Sequence, residues 1–141
     1  MEALLRAIHL DNLQGFAVDA LGEAAGMGNQ QALEPLLHPA ESHILPSGVL
    51  FALKPAAENG NQKAIEALAG MATEPAFRYG AVDGLQKAAT LAGNVTAIDA
   101  LAVVAKGYKD SESKTAIGLL ETASSNHIAR ATEVLQQLTG K

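Results

Sequence analysis

The sequence predicts an all-α chain of about four stacked helical hairpins, and three observations carry that prediction. The first is a recurring segment: Gly28-Asn29-Gln30-Gln31-Ala32-Leu33-Glu34, then Gly60-Asn61-Gln62-Lys63-Ala64-Ile65-Glu66, then Gly93-Asn94-Val95-Thr96-Ala97-Ile98-Asp99, at spacings of 32 and 33 residues. The second is a pattern that precedes each copy: Leu21 with Ala24 and Ala25, Leu53 with Ala56 and Ala57, and Leu85 with Ala88 and Ala89 stand 32 apart, and Leu120 with Ala123 continues the series. Two phased patterns per period mean two elements per unit. The third is composition. Alanine makes up about a fifth of the chain and aromatics 4%. Alanine is the best helix former and the smallest side chain a core can use, so the composition favours helices packed close together over a sheet.

The elements follow in order. Glu2-Ala3-Leu4 sits 64 residues before Glu66-Ala67-Leu68, so residues 1–10 read as a partial unit with a helix near Glu2 to Ile8. The first full unit spans 11–39, with an apolar stripe at Ala17, Val18, Leu21, Ala24 and Ala25 that repeats at helical spacing. The second, 44–72, carries the same stripe at Val49, Leu50, Leu53, Ala56 and Ala57, and a second one at Ala64, Ile65, Leu68 and Ala69. The third and fourth units span 75–107 and 111–139, the fourth being a weaker copy that turns at Ser125-Asn126. Asn29, Asn61, Asn94 and Asn126 each stand where a helix N-cap belongs, with a side-chain oxygen to accept the orphan N–H groups of the first turn. Gly28, Gly60 and Gly93 suit the left-handed residue that closes the preceding helix. The two helices of a unit are therefore joined by a very short turn and lie antiparallel. Pro75 is expected in the first turn of its helix, Pro35 and Pro55 are expected to kink or shorten theirs, and Gly48 and Gly80, 32 apart, are expected to mark a bend or a close helix contact.

The pattern A-L-x-x-A-A-x-x-G-N-x-x-A-I-[DE]-x-L resembles the HEAT-like repeats of the phycobilisome-lyase type, in which a Gly-Asp or Gly-Asn pair separates an outer from an inner helix. The resemblance runs from about Asp11 to Leu138, with Asn in place of the commoner Asp at the cap. It implies a right-handed α-α superhelix, a short solenoid whose second helices line a concave face. Ala57 to Glu66 also looks loosely like the DNA-reading hairpins of TAL effectors, but the turn lacks their extra glycine, and a net charge of -5 is wrong for wrapping a duplex.

Composition and motifs narrow the function classes. The length suits a single domain over 1–141, with too little charge and too much apolar content for disorder. Zero cysteines exclude a disulfide framework, a cysteine nucleophile and thiolate metal sites, and fit the cytoplasm. The apolar run Ala97 to Ala105 is broken by Asp99 and falls short of the ~20 residues a membrane span needs. No secretory leader opens the chain, and no nucleophile elbow, phosphate-binding loop, dinucleotide glycine pattern or kinase signature appears. Neither a catalytic constellation nor a cofactor site is expected, and neither a nucleic acid nor a membrane is expected as partner.

The expected function is non-catalytic: a protein-interaction or scaffold module. Glu2, Glu34, Glu66 and Asp99 share one repeat-equivalent position on the second helices, so stacking at ~8–10 Å would align their carboxylates as an acidic column. Such a column suits a protein or peptide with a basic surface, and Gln30, Gln62, Lys63 and Thr96 flank it. The competing expectation is a subunit of a lyase-like enzyme or a chromophore-handling protein, which needs a deep apolar pocket with convergent polar groups. A homo-oligomer, or one segment of a longer solenoid, follows from the apolar opening helix Ala3 to Ile8. His38, Glu41 and His43 share a loop, but a proline intervenes and no fourth ligand is evident, so no metal site is expected. Phe51, Phe77 and Tyr79 are expected to fill gaps that alanine leaves between repeats.

Overall fold

The computed structural model describes residues 14–38 and 46–140, and all its regular elements are helical. They are α1 (Gln14–Gly26), α2 (Gln30–Leu37), α3 (Pro46–Glu58), α4 (Gln62–Met71), α5 (Arg78–Thr90), α6 (Val95–Gly107), α7 (Ser111–Ser125) and α8 (Ala129–Thr139). Each odd-numbered helix packs on the even-numbered helix that follows it. The odd-numbered helices also pack on one another in chain order, as do the even-numbered ones. Two ranks of helices result, with the core between them. Leu21, Leu53, Leu85 and Leu120 enter it from the odd rank, and Leu33, Ile65, Ile98 and Leu101 from the even rank, all of them buried. The helix expected near Glu2 to Ile8, with Glu2 itself, lies outside the described residues, and so do Glu41 and His43.

The repeated Ala-Ala and Gly-Asn pairs make the turns. At the end of α1 the Gly28 N–H donates to Ala25 O (3.0 Å) and the Asn29 N–H to Ala24 O (3.0 Å). At the end of α3 the Gly60 N–H donates to Ala57 O (3.0 Å) and the Asn61 N–H to Ala56 O (2.9 Å). This is the Schellman closure, in which the glycine takes the left-handed conformation (φ 97° at Gly28, 86° at Gly60). The asparagine that completes it then caps the next helix: Asn29, Asn61 and Asn94 accept from the N–H groups of Ala32, Ala64 and Ala97, each at 3.1 Å. A single residue thus ends one helix and starts another. That cap contributes ~1 kcal/mol and fixes the hairpin angle. The third turn holds one residue more, and there the Asn94 N–H reaches back six residues to Ala88 O (2.8 Å). That extra residue accounts for the spacing of 33 in place of 32.

Asn126 departs from expectation. It caps the end of α7, and α8 starts only after Ile128, whose side chain makes no capping bond. His127 takes the left-handed place (φ 64°), its N–H donating to Ser124 O (2.9 Å), while the Ile128 N–H donates to Ala123 O (3.1 Å). Counting from this closure, Asn126 is the equivalent of Asn59, not of Asn61. Both use the side-chain amide the same way: Asn59 Nδ2 donates to Gly26 O, and Asn126 Nδ2 to Thr90 O (2.7 Å), each tying the end of one odd helix to the end of the odd helix before it.

Three proline and glycine expectations resolve individually. Pro75 lies ahead of α5, in a turn closed by the Phe77 N–H on Glu74 O (3.0 Å), where its fixed φ suits the second residue. Pro35 sits in the shortest helix, α2 at 8 residues, whereas Pro55 sits inside α3, which at 13 residues is as long as α1 and α5. Gly80 does mark a close contact, since a Cβ there would lie 3.0 Å from Leu50 Cδ1, while Gly48 has ordinary room. Phe77 packs against the core as expected, but Phe51 and Tyr79 do not fill gaps: both point into solvent. Leucine and alanine fill the core between the two ranks, which both rings face away from.

Candidate functional site

The residues expected to form the acidic column come from equivalent places on α2, α4 and α6. Gln30 is the first residue of α2, Gln62 and Lys63 the first two of α4, and Thr96 the second of α6, so the N-terminal turns of successive even helices stand side by side. Glu34, Glu66 and Asp99 follow in the second turn of each helix, with buried Leu33, Ile65 and Ile98 holding the inner side. Glu34 and Glu66 are exposed and Asp99 half-exposed.

The side chains are joined across the helices. Gln62 Nε2 donates to Thr96 Oγ1 (2.8 Å), and Asn94 Nδ2 donates to Gln62 Oε1 (2.9 Å). Lys63 Nζ lies 3.9 Å from Glu34 Oε1, and Arg130 of α8 reaches Asp99 Oδ1 through Nη2 (2.8 Å) and Nε (2.9 Å). Arg130 also meets Glu133 at 3.1 Å. The hydrogen bond to Asp99, followed by that to Glu133, raises the guanidinium pKa further. The column is therefore largely neutralised by its neighbours. Glu66 is the member without a cation among the described residues, and its carboxylate accepts only a long bond from Gln62 Nε2 (3.4 Å).

Arg130 was not foreseen in this role. The signal that marks it is separation: it stands 31 residues after Asp99, about one repeat, as Lys63 stands 29 after Glu34. The same rule governs the opposite rank, where Lys54 Nζ meets Asp83 Oδ2 at 2.7 Å and Lys87 Nζ meets Glu58 Oε2 at 3.3 Å. The Asp83 bond holds the Lys54 ammonium above its ordinary pKa.

A second polar assembly joins the links between hairpins. Arg78, at the start of α5, is 5% exposed. Its Nη1 pairs with Asp110 Oδ2, its Nε donates to Ala72 O (3.3 Å), and its guanidinium carbon lies 3.4 Å from the Tyr108 ring centroid. Tyr108 Oη in turn donates to Thr73 O (3.1 Å). Asp110 is the N-cap of α7, accepting from the Ser113 N–H (3.0 Å), while the Ser113 hydroxyl is buried against the Tyr108 and Val104 carbonyls. The Ser113 N–H first, and Arg78 after it, hold the Asp110 carboxyl below the usual carboxylate range. Here an arginine, a ring and a capping carboxylate lock two inter-hairpin links together.

Compared with family models, curated proteins and solved structures, the chain matches none.

His38, the described member of the histidine loop, is exposed at the end of α2, 3.8 Å from Glu34 Oε2. Among the described residues no group of three His, Asp or Glu side chains is placed to hold a metal ion, and no helix is long and apolar enough to cross a membrane. Two apolar grooves lie along the even helices. One, of about 340 Å³, is walled by Leu36, Leu37, Met71 and Phe77 with Glu74 at its edge. The other, of about 230 Å³, lies between α6 and α8 beside Val103, Val134 and Leu138. Neither brings several polar groups to one point.

Proposed function

We propose that the chain is a non-catalytic protein-interaction module: a short right-handed α-α solenoid of HEAT-like hairpins that offers the strip on α2, α4 and α6 as a concave face to a basic protein or peptide. The observation that supports this reading is the cross-bonded strip itself, in which Gln62, Asn94 and Thr96 connect successive even helices at 2.8–2.9 Å while remaining at the surface. A surface whose rotamers are already ordered loses less entropy on binding than one that must be ordered by the partner. Glu66 lies beside this lattice and supplies the uncompensated carboxylate, so a partner lysine or arginine is expected to land there, with Gln62 offering the adjacent amide. Glu34 extends the acidic character, since an exposed pair such as Lys63–Glu34 is weak enough to exchange partners. Polar contacts of this kind set orientation and association rate more than total affinity. A cytoplasmic location belongs to the same reading, supported by the absence of cysteine.

The test is affinity capture from the native host, followed by reconstitution with the purified partner. Glu66→Lys is expected to weaken the reconstituted complex at least tenfold, about 1.4 kcal/mol, with unchanged helicity. Adding Glu34→Lys and Asp99→Lys is expected to abolish it. A complex whose affinity ignores all three reversals removes the proposal.

A further inference from the structure

The odd-numbered helices carry an unassigned surface. Three of the chain's five aromatic residues stand on it: Phe16 on α1, Phe51 on α3 and Tyr79 on α5 are 78%, 65% and 73% exposed. A single exposed apolar residue needs no explanation, but rings on three successive helices of one rank form a series. The other two aromatics, Phe77 and Tyr108, are packed against the core.

Two of these rings border grooves between odd helices, and both grooves are acidic. The first, of about 230 Å³, lies between α1 and α3, walled by Phe51 and Pro55 on one side and by Asp19 and Glu23 on the other. Gly22 forms its floor, where a Cβ would come within 2.8 Å of the Ala52 backbone, so the two helices touch main chain to main chain and the carboxylates flank that contact. Asp19 and Glu23 are one helical turn apart, both exposed, and neither meets a cation among the described residues. The second groove, of about 120 Å³, sets Tyr79, Val82 and Leu119 beside Asp83 and Glu112. Lys54 compensates Asp83 there, leaving Glu112 uncompensated.

We propose that this outer face docks a basic amphipathic helix of another protein. One arginine or lysine lies with its stem along Phe51 and its cation between Asp19 and Glu23. A second lies along Tyr79 with its cation at Glu112, and the apolar residues between them rest on the exposed rings. An aromatic wall beside carboxylates matches both parts of such a side chain, the apolar stem and the charged head. The same charge repels nucleic acid and anionic lipid, and it opposes a second copy of this chain, which would set carboxylate against carboxylate. The surface belongs to the rank opposite the Glu66 strip and does not depend on it.

The experiment uses the full chain and a labelled synthetic helix of about 15 residues, one face of which carries leucines with an arginine toward each end, with a glutamate-for-arginine twin as control. Binding is followed by fluorescence anisotropy and by the ring resonances of Phe16, Phe51 and Tyr79. The arginine peptide is expected to bind and shift those resonances, and the twin to stay free. Phe51→Ala is expected to weaken binding roughly tenfold, which attraction between opposite net charges alone would not produce. The double variant Asp19→Lys, Glu23→Lys is expected to weaken it at least as much, and Glu66→Lys to leave it unchanged. Because Phe51 is exposed, helicity should survive its loss, and the charge reversal gives a second reading if it does not. The proposal is overturned by absence of binding, by affinity that ignores Phe51 or the Asp19 and Glu23 reversal, by loss of binding in Glu66→Lys, or by capture of anionic vesicles in place of the peptide.

Discussion

Gly22 and Gly118 both lie inside odd-numbered helices, and the same substitution to alanine should move stability in opposite directions at the two. In a helix interior, alanine is favoured over glycine by about 1 kcal/mol. At Gly118, in the middle of α7, a new Cβ meets nothing within 4 Å, so the propensity gain stands alone and Gly118→Ala is expected to stabilise by roughly 0.5–1 kcal/mol. At Gly22 the Cβ would lie 2.8 Å from both Cα and O of Ala52 and 3.1 Å from its Cβ. Unstrained contacts between carbon atoms need about 3.5 Å, so α1 and α3 must part locally by roughly 0.7 Å, and the obstacle is backbone, which cannot rotate away. Overpacking of that kind costs about 1–3 kcal/mol, leaving a net loss of roughly 0–2 kcal/mol after the propensity gain. Urea unfolding followed by far-ultraviolet circular dichroism measures both variants against the parent chain, with an expected gap of about 1–3 kcal/mol between them, the overpacking cost alone. If Gly22→Ala stabilises as much as Gly118→Ala, the main-chain contact between α1 and α3 is wrong, and with it the floor of the acidic groove.

His127→Gly should stabilise by about 1 kcal/mol in the same assay, because it removes a side chain from a left-handed backbone (φ 64°) that the first three turns assign to glycine. Asn61→Ala should destabilise by about 1 kcal/mol through loss of the bond from the Ala64 N–H, and Asn61→Asp should restore most of it, as a carboxylate accepts the same bond. Asn126→Ala should leave the start of α8 unchanged in backbone chemical shifts while losing the tie to Thr90 O, the reverse of what an N-cap would show. The Asp110 carboxyl is held low by the Ser113 N–H and by Arg78, so its ionised form favours the fold. That contribution is complete above the ordinary aspartate pKa of about 3.9 and disappears as pH falls through the lowered folded value. Asp110→Asn should accordingly flatten the decline of unfolding free energy as pH falls below about 4, as read from denaturation curves in acid.

How far the site could be read from the sequence depended on whether a feature rested on one element or on two. Asn29, Asn61 and Asn94 cap the helices that follow them because an N-cap bond spans only three residues and needs no tertiary partner. Asn126 is the exception: Ser125-Asn126 resembles the Gly-Asn pairs, but the left-handed residue is His127, so Asn126 stands two residues short of the N-cap and holds the place of Asn59. The equivalent places of Glu34, Glu66 and Asp99 in the second turns of α2, α4 and α6 follow from periodicity, but the cations beside them do not. Lys63, expected beside the column, and Arg130 come from the next even helix, and no local pattern pairs them with Glu34 and Asp99. The pairing of Asp110 with Arg78 leaves no local signal, since the two stand 32 residues apart.

The sequence by itself determined the all-α class and the first three Gly-Asn turns, because helix propensity, apolar periodicity and capping act within one turn of chain. The tertiary structure alone decided which charges are free. Glu34 and Asp99 are answered by cations from a neighbouring hairpin, and Glu66, Asp19 and Glu23 by none among the described residues. It also decided which rings are buried. Phe77 packs on the core from the N-cap of α5, while Phe51, in the second turn of α3, faces solvent. Whether a side chain is neutralised or covered is set by what the adjacent hairpin places beside it, and that depends on distances between helices that local sequence does not encode.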